Sequence, residues 1–353
     1  MRKGKRLIAW IMAVVMLFTI CVFGGNGTAE AAATTPVAKH GRLSVKGADL
    51  VDSKGNKFQL RGISTHGINW DVGSPYVNKK AFKTLRDDWG VNAIRLAMYT
   101  EEYNGYCSGG SQAKLRKLVD KGVGYATDLG MYAIIDWHIL SDGNPNKNKS
   151  QAKKFFTTMA KKYKNNKNVI YEICNEPNGC GWKEIKSYAT DISKTIRKYD
   201  KKAVIIVGTP TWSQLGTDGT SNEVADSPIK GYKNIMYSLH FYASEWAHNE
   251  YLPAKVAYAR KKKLPIIVSE FGLSPASGDG AINKASADKW MKLLNKYNIS
   301  YFCWSLSNKN ESASLLKPST KKTSGWKSGD LSTAGKYIKK KYLARKKALG
   351  KKA

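Results

Sequence analysis

The sequence has 353 residues, of which 59 are Lys or Arg and 27 are Asp or Glu, so its formal net charge is +32. With 42% hydrophobic residues, 31 Gly and 10 Pro, the composition excludes an intrinsically disordered chain and a collagen-like fibre. The length allows two or three domains, or one α/β barrel of roughly 250 residues.

The N-terminal segment, residues 1–33, is predicted to be a secretory signal peptide. Residues 1–6 are basic, residues 7–23 are an almost unbroken apolar run, and residues 29–33 supply small side chains for cleavage. The alternative is an uncleaved anchor, because about 17 apolar residues is the lower limit for crossing a bilayer. Lipid attachment at Cys21 is not expected, since Ile20 precedes it. Without this segment the net charge is 55 − 26 = +29, and we expect a secreted protein.

From residue 58 onward, short β-branched or aromatic runs alternate with segments of helical period, which is the pattern of repeated βα units. Eight strands are predicted, over residues 59–64, 93–99, 132–138, 169–175, 203–209, 235–242, 265–270 and 299–306. Helices are predicted over residues 78–89, 111–129, 151–163, 182–199, 253–263, 285–297 and 333–346. The segment 42–58, with a turn at 53–56, predicts a β-hairpin that closes the bottom of a barrel.

Eight successive βα units without a break in composition predict one α/β domain, a (β/α)₈ or TIM barrel, over residues 34–346. A basic C-terminal tail follows over residues 347–353. An open dinucleotide-binding sheet is excluded, because residues 61–67 lack the G-x-G-x-x-G order after the first strand. The four cysteines beyond the signal segment fit no zinc pattern. A Cys107–Cys180 bridge and free buried thiols both remain open.

Polar or aromatic groups stand at the ends of seven of the eight predicted strands. In a barrel these ends and the loops after them form the active face. Any one of these residues has a structural explanation, such as a helix cap or a rim ion pair. Together they predict an active site, because burying a polar group costs free energy unless the group is paired or has a function. The residues are His66, Arg95, Asp136, His138, Asn175, Glu176, His240, Tyr242, Glu270 and Trp304.

Glu176 and Glu270 are the pair of carboxylates that cleavage of a glycosidic bond requires. One donates a proton to the leaving oxygen, and the other attacks or stabilises the anomeric carbon. The alternative is a zinc site formed by His66, His138 and His240 with a glutamate. No H-x-H or H-E-x-x-H spacing supports it, so we expect neither a metal nor another cofactor.

The segment 169–178, Val-Ile-Tyr-Glu-Ile-Cys-Asn-Glu-Pro-Asn, resembles the strand-four signature of glycoside hydrolase family five, and within it of the secreted bacterial endoglucanases. Residues 95–99, 136–138, 238–242, 269–272 and 303–306 carry further matching motifs in the same order. The resemblance runs from about residue 41 to residue 343. It implies a retaining endo-β-1,4-glucanase (cellulase) in which Glu176 is the acid/base and Glu270 is the nucleophile.

The resemblance also implies supporting roles. Arg95 and Tyr242 would keep Glu270 ionised and oriented, and the charge of Glu270 would raise the pKa of Glu176. His240 would lie beside Glu176, and Asn175 would bond the sugar 2-hydroxyl. Substrate-binding residues would be His66, Trp70, Tyr99, His138, Trp212, Trp304, Lys309 and Glu311. Core packing is the alternative for Trp212. Phe271 departs from the family pattern, where Trp is common, and could alter packing beneath the substrate.

The expected substrate is a β-glucan polysaccharide. A mannanase or mixed-linkage β-glucanase of the same chemistry, and a non-catalytic glycan-binding barrel, are the alternatives. The basic surface does not indicate a nucleic-acid partner, because no nucleic-acid motif accompanies it. Electrostatic attraction to an anionic cell wall and plain solubility are both open explanations of the charge. We expect a monomer.

Overall fold

The computed structural model describes residues 35–350, so the predicted signal peptide lies outside the described residues. The strands are β1 (Ser44–Lys46), β2 (Asp49–Val51), β3 (Arg61–Thr65), β4 (Ala93–Tyr99), β5 (Tyr132–His138), β6 (Val169–Glu172), β7 (Ile205–Val207), β8 (Ile235–Tyr242), β9 (Ile266–Gly272) and β10 (Tyr301–Leu306). The helices are α1 (Pro36–His40), α2 (Lys79–Trp89), α3 (Gln112–Asp128), α4 (Lys149–Tyr163), α5 (Trp182–Arg197), α6 (Pro210–Ser213), α7 (Glu223–Asp226), α8 (Trp246–Lys261), α9 (Lys284–Lys296) and α10 (Thr333–Gly350). Short 3₁₀ turns cover Ser74–Tyr76 and Ser328–Asp330.

Strands β3 to β10 form a closed parallel barrel in the order β10-β3-β4-β5-β6-β7-β8-β9. The predicted (β/α)₈ barrel is therefore confirmed. Strands β4, β5 and β8 have the predicted bounds, whereas β6 ends at Glu172 rather than at Asn175. Beyond Glu172 the chain stays pinned to the rim, because the backbone N–H groups of Asn175 and Glu176 donate to the carbonyls of Trp137 and Ile139.

The N-terminal hairpin closes the bottom of the barrel, as predicted. Leu43, Leu50 and Phe58 pack in one buried cluster with inward-facing barrel residues such as Tyr132 and Phe302. The predicted turn at 53–56 joins β2 to the segment that follows it, while residues 47–48 join β1 to β2. A second, larger apolar layer lies between the strands and the helices.

Helix α2 shows how the sequence sets the ends of a helix. The side chain of Asn78 caps the first turn by accepting from the backbone N–H of Ala81 at 2.8 Å. Gly90 ends the helix with φ of 75°, a left-handed conformation that glycine adopts without strain. Helix α8 was wrongly predicted to begin at Pro253, the residue preferred in a first turn. It begins at Trp246, and Pro253 lies inside it.

The four described cysteines are free thiols in this structure, so the alternative of a Cys107–Cys180 bridge is not realised. Cys174 and Cys303 are buried, while Cys107 and Cys180 are partly buried. Burial raises the pKa of the Cys180 thiol to about 11. Within residues 35–350, no helix combines the length and the apolar character that crossing a membrane requires.

Candidate active site

A cleft of about 530 Å³ opens at the carboxyl ends of the barrel strands. This volume is in the range of small-molecule sites. The cleft is lined by twelve of the predicted site residues: His66, Trp70, Tyr99, His138, Glu176, Trp212, His240, Tyr242, Glu270, Trp304, Lys309 and Glu311. The other three, Arg95, Asp136 and Asn175, are buried beneath it. The cleft also contains residues that the strand-end pattern did not indicate, among them Glu102, Gln214, Glu245 and Ser277 from loops and His248 from α8.

Glu270 is held between two donors. Arg95 Nη1 donates to Glu270 Oε2 at 3.0 Å, and the Tyr242 hydroxyl donates to Oε1 at 2.7 Å. Strands β8 and β9 pair His240 with Glu270, and alternation along β8 places Tyr242 on the same inward side as His240. Both oxygens of Glu270 therefore have fixed partners, which hold the carboxylate in one orientation.

Arg95 binds three carboxylates at once. Its Nε lies 2.7 Å from Glu172 Oε2 and its Nη2 lies 3.0 Å from Asp136 Oδ2, in addition to its bond to Glu270. Nη2 also donates to Asn175 Oδ1 at 2.5 Å. Burial alone would lower the pKa of Arg95, but the carboxylates outweigh it and raise the pKa, so the guanidinium stays charged.

Glu172, which the strand-end pattern did not indicate, belongs to the site through its contact with Arg95. Burial raises the pKa of Asp136 to about 7 and raises that of Glu172, and Arg95 opposes both shifts. A signal was present, because Asp136 and Glu172 interrupt otherwise apolar strands and a buried carboxylate requires a cation. Asp136 also lies 2.6 Å from His138 Nδ1, which orients that ring.

Glu176 lies just after β6, and 13% of its side-chain surface is exposed. Burial raises its pKa to about 8, the carboxylates of Asp136 and Glu172 add to this, and Arg95 opposes it. This shift was expected from the charge of Glu270, whereas burial is the largest cause. His240 Nδ1 lies 2.8 Å from Glu176 Oε1.

The reactive atoms of this site are close together. Oxygens of Glu176 and Glu270 and a ring nitrogen of His240 all lie within 4.8 Å of one another. Retaining glycosidases hold their two carboxyl groups about 5–5.5 Å apart, whereas inverting enzymes need about 6.5–9.5 Å to admit a water. One carboxyl is protonated at neutral pH and the other is paired with Arg95. The pair can therefore protonate a leaving group while attacking the carbon that it leaves.

Within residues 35–350, these three side chains are also the group whose ligand atoms lie close enough to one another to hold a metal ion. Both oxygens of Glu270 already accept hydrogen bonds, one of them from the guanidinium of Arg95. A cation there would have to compete with that guanidinium. The geometry therefore suits proton transfer and nucleophilic attack better than metal coordination.

Aromatic rings form one wall of the cleft. Trp304 stacks on His138 with ring centroids 5.2 Å apart, and Trp70 stacks on Tyr99 at 4.6 Å. The His66 ring lies 5.4 Å from Trp70 and 5.0 Å from Trp304. Flat aromatic faces can pack on the apolar faces of sugar rings, so this wall suits a glycan.

Trp212 lines another part of the cleft and is 47% exposed, which excludes the alternative of core packing. Thr211, Trp212, Ser213 and Leu215 all have positive φ angles. Non-glycine residues in this region cost of order 1 kcal/mol or more each. The Trp212 N–H donates to the Pro177 carbonyl at 3.0 Å, which ties this strained segment to the loop that carries Glu176.

Lys309 and Glu311 extend the polar lining beside His66. Lys309 Nζ lies 2.5 Å from Glu311 Oε2, and His66 Nε2 lies 3.6 Å from Glu311 Oε1. Burial acts to raise the pKa of Glu311, but His66 and Lys309 outweigh it and lower the pKa. Phe271 follows Glu270 on β9 and is fully buried. It is buried in the outer layer and stacks on Phe241 at 5.2 Å.

Comparisons with known proteins agree with this geometry. The sequence model of the family described as Cellulase (glycosyl hydrolase family 5) matches residues 51–310. The chain is 47% identical over 341 residues to an endoglucanase of Clostridium saccharobutylicum, which covers 95% of this chain and 72% of that protein. It is 44% identical over 325 residues to endoglucanase 5 of Pectobacterium carotovorum subsp. carotovorum, covering 92% of this chain and 62% of that protein. A solved structure of the Thermobifida fusca endoglucanase Cel5A catalytic domain with cellotetraose superposes with a TM-score of 0.80 at 36% identity, covering 88% of this chain and 99% of that one.

Proposed function

The chain belongs to the cellulase family, glycosyl hydrolase family 5, and on this basis we propose that it is an endo-β-1,4-glucanase that cleaves internal bonds of cellulose-type β-glucans with retention of anomeric configuration. The observation that carries the mechanism is the short separation of the Glu176 and Glu270 oxygens, within 4.8 Å, in two different electrostatic environments. A merely glycan-binding barrel has no need for such a pair.

In the first step, protonated Glu176 donates its proton to the glycosidic oxygen as the bond to the anomeric carbon breaks. Glu270 Oε attacks that carbon from the opposite face and forms a glycosyl ester. The leaving chain departs as an alcohol, so charge and protons balance. Arg95 and Tyr242 hold Glu270 in place through bonds of 3.0 and 2.7 Å, which fixes the direction of attack.

In the second step, ionised Glu176 accepts a proton from water, and the resulting hydroxide attacks the anomeric carbon and releases Glu270. Two inversions give net retention. His240, which lies 2.8 Å from Glu176, holds the acid/base in one orientation through both steps. Asn175 is held beneath the cleft by Arg95, at 2.5 Å, and its Nδ2 donates to the Ile139 carbonyl at 3.1 Å. In this proposal its side chain bonds the sugar 2-hydroxyl.

The aromatic wall and Trp212 determine the substrate class in this proposal. Cellulose-type chains present flat glucose rings that suit Trp304, Trp70 and Trp212. The relatives named above are endoglucanases, and one solved relative binds cellotetraose. A mixed-linkage β-glucan uses the same chemistry and remains the second candidate, because its glucose rings present the same faces.

The test is release of reducing ends from carboxymethylcellulose, barley mixed-linkage glucan, mannan and xylan by the purified chain. We expect release from the glucans, and we expect Glu270→Gln to abolish it while leaving the fold intact by circular dichroism. Glucan hydrolysis that persists in this variant would contradict the assignment of the nucleophile. Absence of release from all four polymers would favour the glycan-binding alternative.

We also propose that the protein is secreted as a monomer and that residues 1–33 are its signal peptide. The basic start and the apolar run of residues 7–23 support this proposal, as does a polymeric substrate that cannot enter a cell. N-terminal sequencing of the protein from culture medium tests it. A product that begins near residue 34 supports cleavage, and a membrane-bound chain that begins at Met1 contradicts it.

A further inference from the structure

Arg61 carries a buried charge at the end of the barrel opposite the cleft. It is the first residue of β3, and only 8% of its surface is exposed. Its Nε donates to the Gly90 carbonyl at 3.4 Å, and none of the carboxylates in residues 35–350 lies within ion-pair distance of it. A guanidinium does not deprotonate in proteins. Burying such a charge without a counter-ion is costly, so the surroundings of Arg61 require an explanation.

Arg61 lines a cavity of about 440 Å³ at this end of the barrel. Arg86 and Lys346 line the same cavity, together with one acid, Asp87. The charges sum to 3 − 1 = +2. Asp87 is already engaged by Arg86 Nε at 2.7 Å and by Lys83 Nζ at 2.5 Å. It is therefore not available to neutralise Arg61.

The cations come from three elements, β3, α2 and α10, and Arg86 has a neutral partner in addition to Asp87. Arg86 Nη1 donates to the Leu129 carbonyl at 2.8 Å, which directs α2 and its side chain towards the cavity. The stem of Lys346, from α10, packs where a side chain at Gly90 would stand, because a Cβ there would lie 3.2 Å from the Lys346 Cδ. Lys346 has no acidic partner among the described residues.

A further arginine strengthens the positive field. Arg345 precedes Lys346 on α10, and its Nε donates to the side-chain oxygen of Gln59 at 2.8 Å. It too has no carboxylate partner within the described part of the chain. Burial lowers the pKa of Arg61, the Tyr301 hydroxyl opposes this, and Arg345 adds to it. No acid of residues 35–350 forms an ion pair with either arginine to compensate for their repulsion.

We propose that this cavity is a binding site for a phosphate group, free or in a phosphate ester, held by Arg61, Arg86 and Lys346. Guanidinium forks bind tetrahedral oxyanions through paired hydrogen bonds, and cations that converge from several directions suit a phosphate better than a flat carboxylate. A phosphate group carries about 1.5 to 2 negative charges at neutral pH, which matches the net charge of +2 of the side chains that line the cavity. The site lies at the opposite end of β3 from His66 and does not depend on the proposed function.

The experiment is isothermal titration calorimetry of the full chain with inorganic phosphate, in chloride buffers of equal ionic strength. We expect saturable binding at one site with a dissociation constant of about 1 mM or less. Arg61→Met keeps the apolar stem and removes the charge, and it should weaken binding about tenfold or more. Lys346→Ala should weaken it about threefold or more. Lys347→Ala removes the same charge from the next position of α10, outside the cavity lining, and should leave binding within about twofold of the parent chain.

Absence of saturable phosphate binding would overturn the proposal, as would equal weakening by Lys346→Ala and Lys347→Ala, which would indicate a diffuse basic surface. The two lysine variants decide the matter even where Arg61→Met does not fold. Titration with glycerol phosphate separates the sources: binding equal to that of inorganic phosphate indicates a phosphate ester, and binding only of the inorganic ion indicates free phosphate. All three variants should keep the parent rate of glucan hydrolysis, so failure of this proposal is distinct from failure of the proposed function.

Discussion

His240 bridges Glu176 and Ser269 through its two ring nitrogens. Nδ1 lies 2.8 Å from Glu176 Oε1, and Nε2 lies 2.9 Å from Ser269 Oγ. Burial lowers the pKa of His240 to about 4, although Glu270 opposes the shift, so the ring is neutral near pH 7. A neutral ring orients Glu176 without the positive charge that would ionise it. The histidine therefore fixes the position of the acid and leaves its raised pKa intact.

The pKa of Glu176 predicts the alkaline limit of activity. The first step needs the protonated form, and burial raises this pKa to about 8. We expect kcat/KM on cellotetraose to fall above about pH 8 and to be flat between this limit and neutral pH. Glu176→Gln should lose about 10²–10⁴ in activity and should no longer show this limb. A limb that persists in the variant would assign the limit to another group.

Removal of a neighbouring carboxylate should move the same limb. Glu172 adds to the raised pKa of Glu176, so Glu172→Gln should shift the limb to lower pH while the amide oxygen still accepts from Arg95. Glu250→Gln makes the same chemical change at an exposed position of α8 and serves as the control. If both variants keep the parent profile, Glu172 does not contribute to the raised pKa of Glu176.

Azide should distinguish the roles of the two glutamates. A dinitrophenyl leaving group needs no proton, so Glu176→Ala should still form the glycosyl ester from dinitrophenyl cellobioside and then stall. Added azide should restore turnover and give the β-glycosyl azide. In Glu270→Ala, azide should replace the carboxylate and give the α-product. Identification of the anomers by nuclear magnetic resonance checks both assignments, and the same anomer from both variants would contradict them.

Burial of neutral His240 should appear in the pH dependence of stability. The unfolded chain protonates this ring below about pH 6.5, whereas the folded chain does so only below about pH 4. The contribution of His240 to the free energy of unfolding is therefore fully present above pH 6.5. It falls by about 3 kcal/mol as the pH decreases to 4.

Urea unfolding of the parent chain and of His240→Asn at both ends of this range measures the effect. The free energy of unfolding of the parent, relative to that of the variant, should be smaller at the acidic end, because the variant lacks the titrating ring. An unchanged difference between the two pH values would show that the ring is protonated in the folded state as well.

The fold was predictable because burial imposes a continuous pattern on barrel strands. Strands β4 and β5 are buried at every position, so their limits in the sequence coincide with their limits in the structure. Strand ends share one rim, and for that reason Glu176 and Glu270 could be located from spacing, whereas Trp70, Trp212 and Lys309 were expected only from the family resemblance. Glu172 was not predicted because it lies in the middle of the predicted strand 169–175 and not at its end.

Loop conformations and contacts between residues distant in the sequence were not predictable from the hydrophobic periodicity of strands and helices. Gln214 and Glu245 enter the cleft through loop conformations that depend on tertiary contacts. Pro253 gave a misleading local signal, because the first turn is only the preferred place for proline, not the required one. In the sequence, the segment 61–67 was informative only through its glycine spacing, so no role was predicted for Arg61. Its lack of an acid is visible only once β3, α2 and α10 are packed together.

Trp212 and Trp304 should respond differently to substitution, because one is 47% exposed and the other is 6% exposed. Trp212→Ala should raise KM for cello-oligosaccharides up to about tenfold through lost stacking, with little change in the free energy of unfolding. Trp304→Ala should impair both KM and stability, since its ring also packs on His138 at 5.2 Å. Steady-state kinetics and urea unfolding of each variant check this division.

Trp246→Ala is the matched control for the exposed tryptophan. Its ring is 68% exposed, on α8, and does not line the cleft. Kinetics should therefore remain those of the parent chain if stacking in the cleft, rather than a general loss of exposed aromatic surface, causes the effect of Trp212→Ala. An equal rise in KM in both variants would contradict the assignment of Trp212 to the binding site. The strained φ angles of residues 211–213 would then need another explanation.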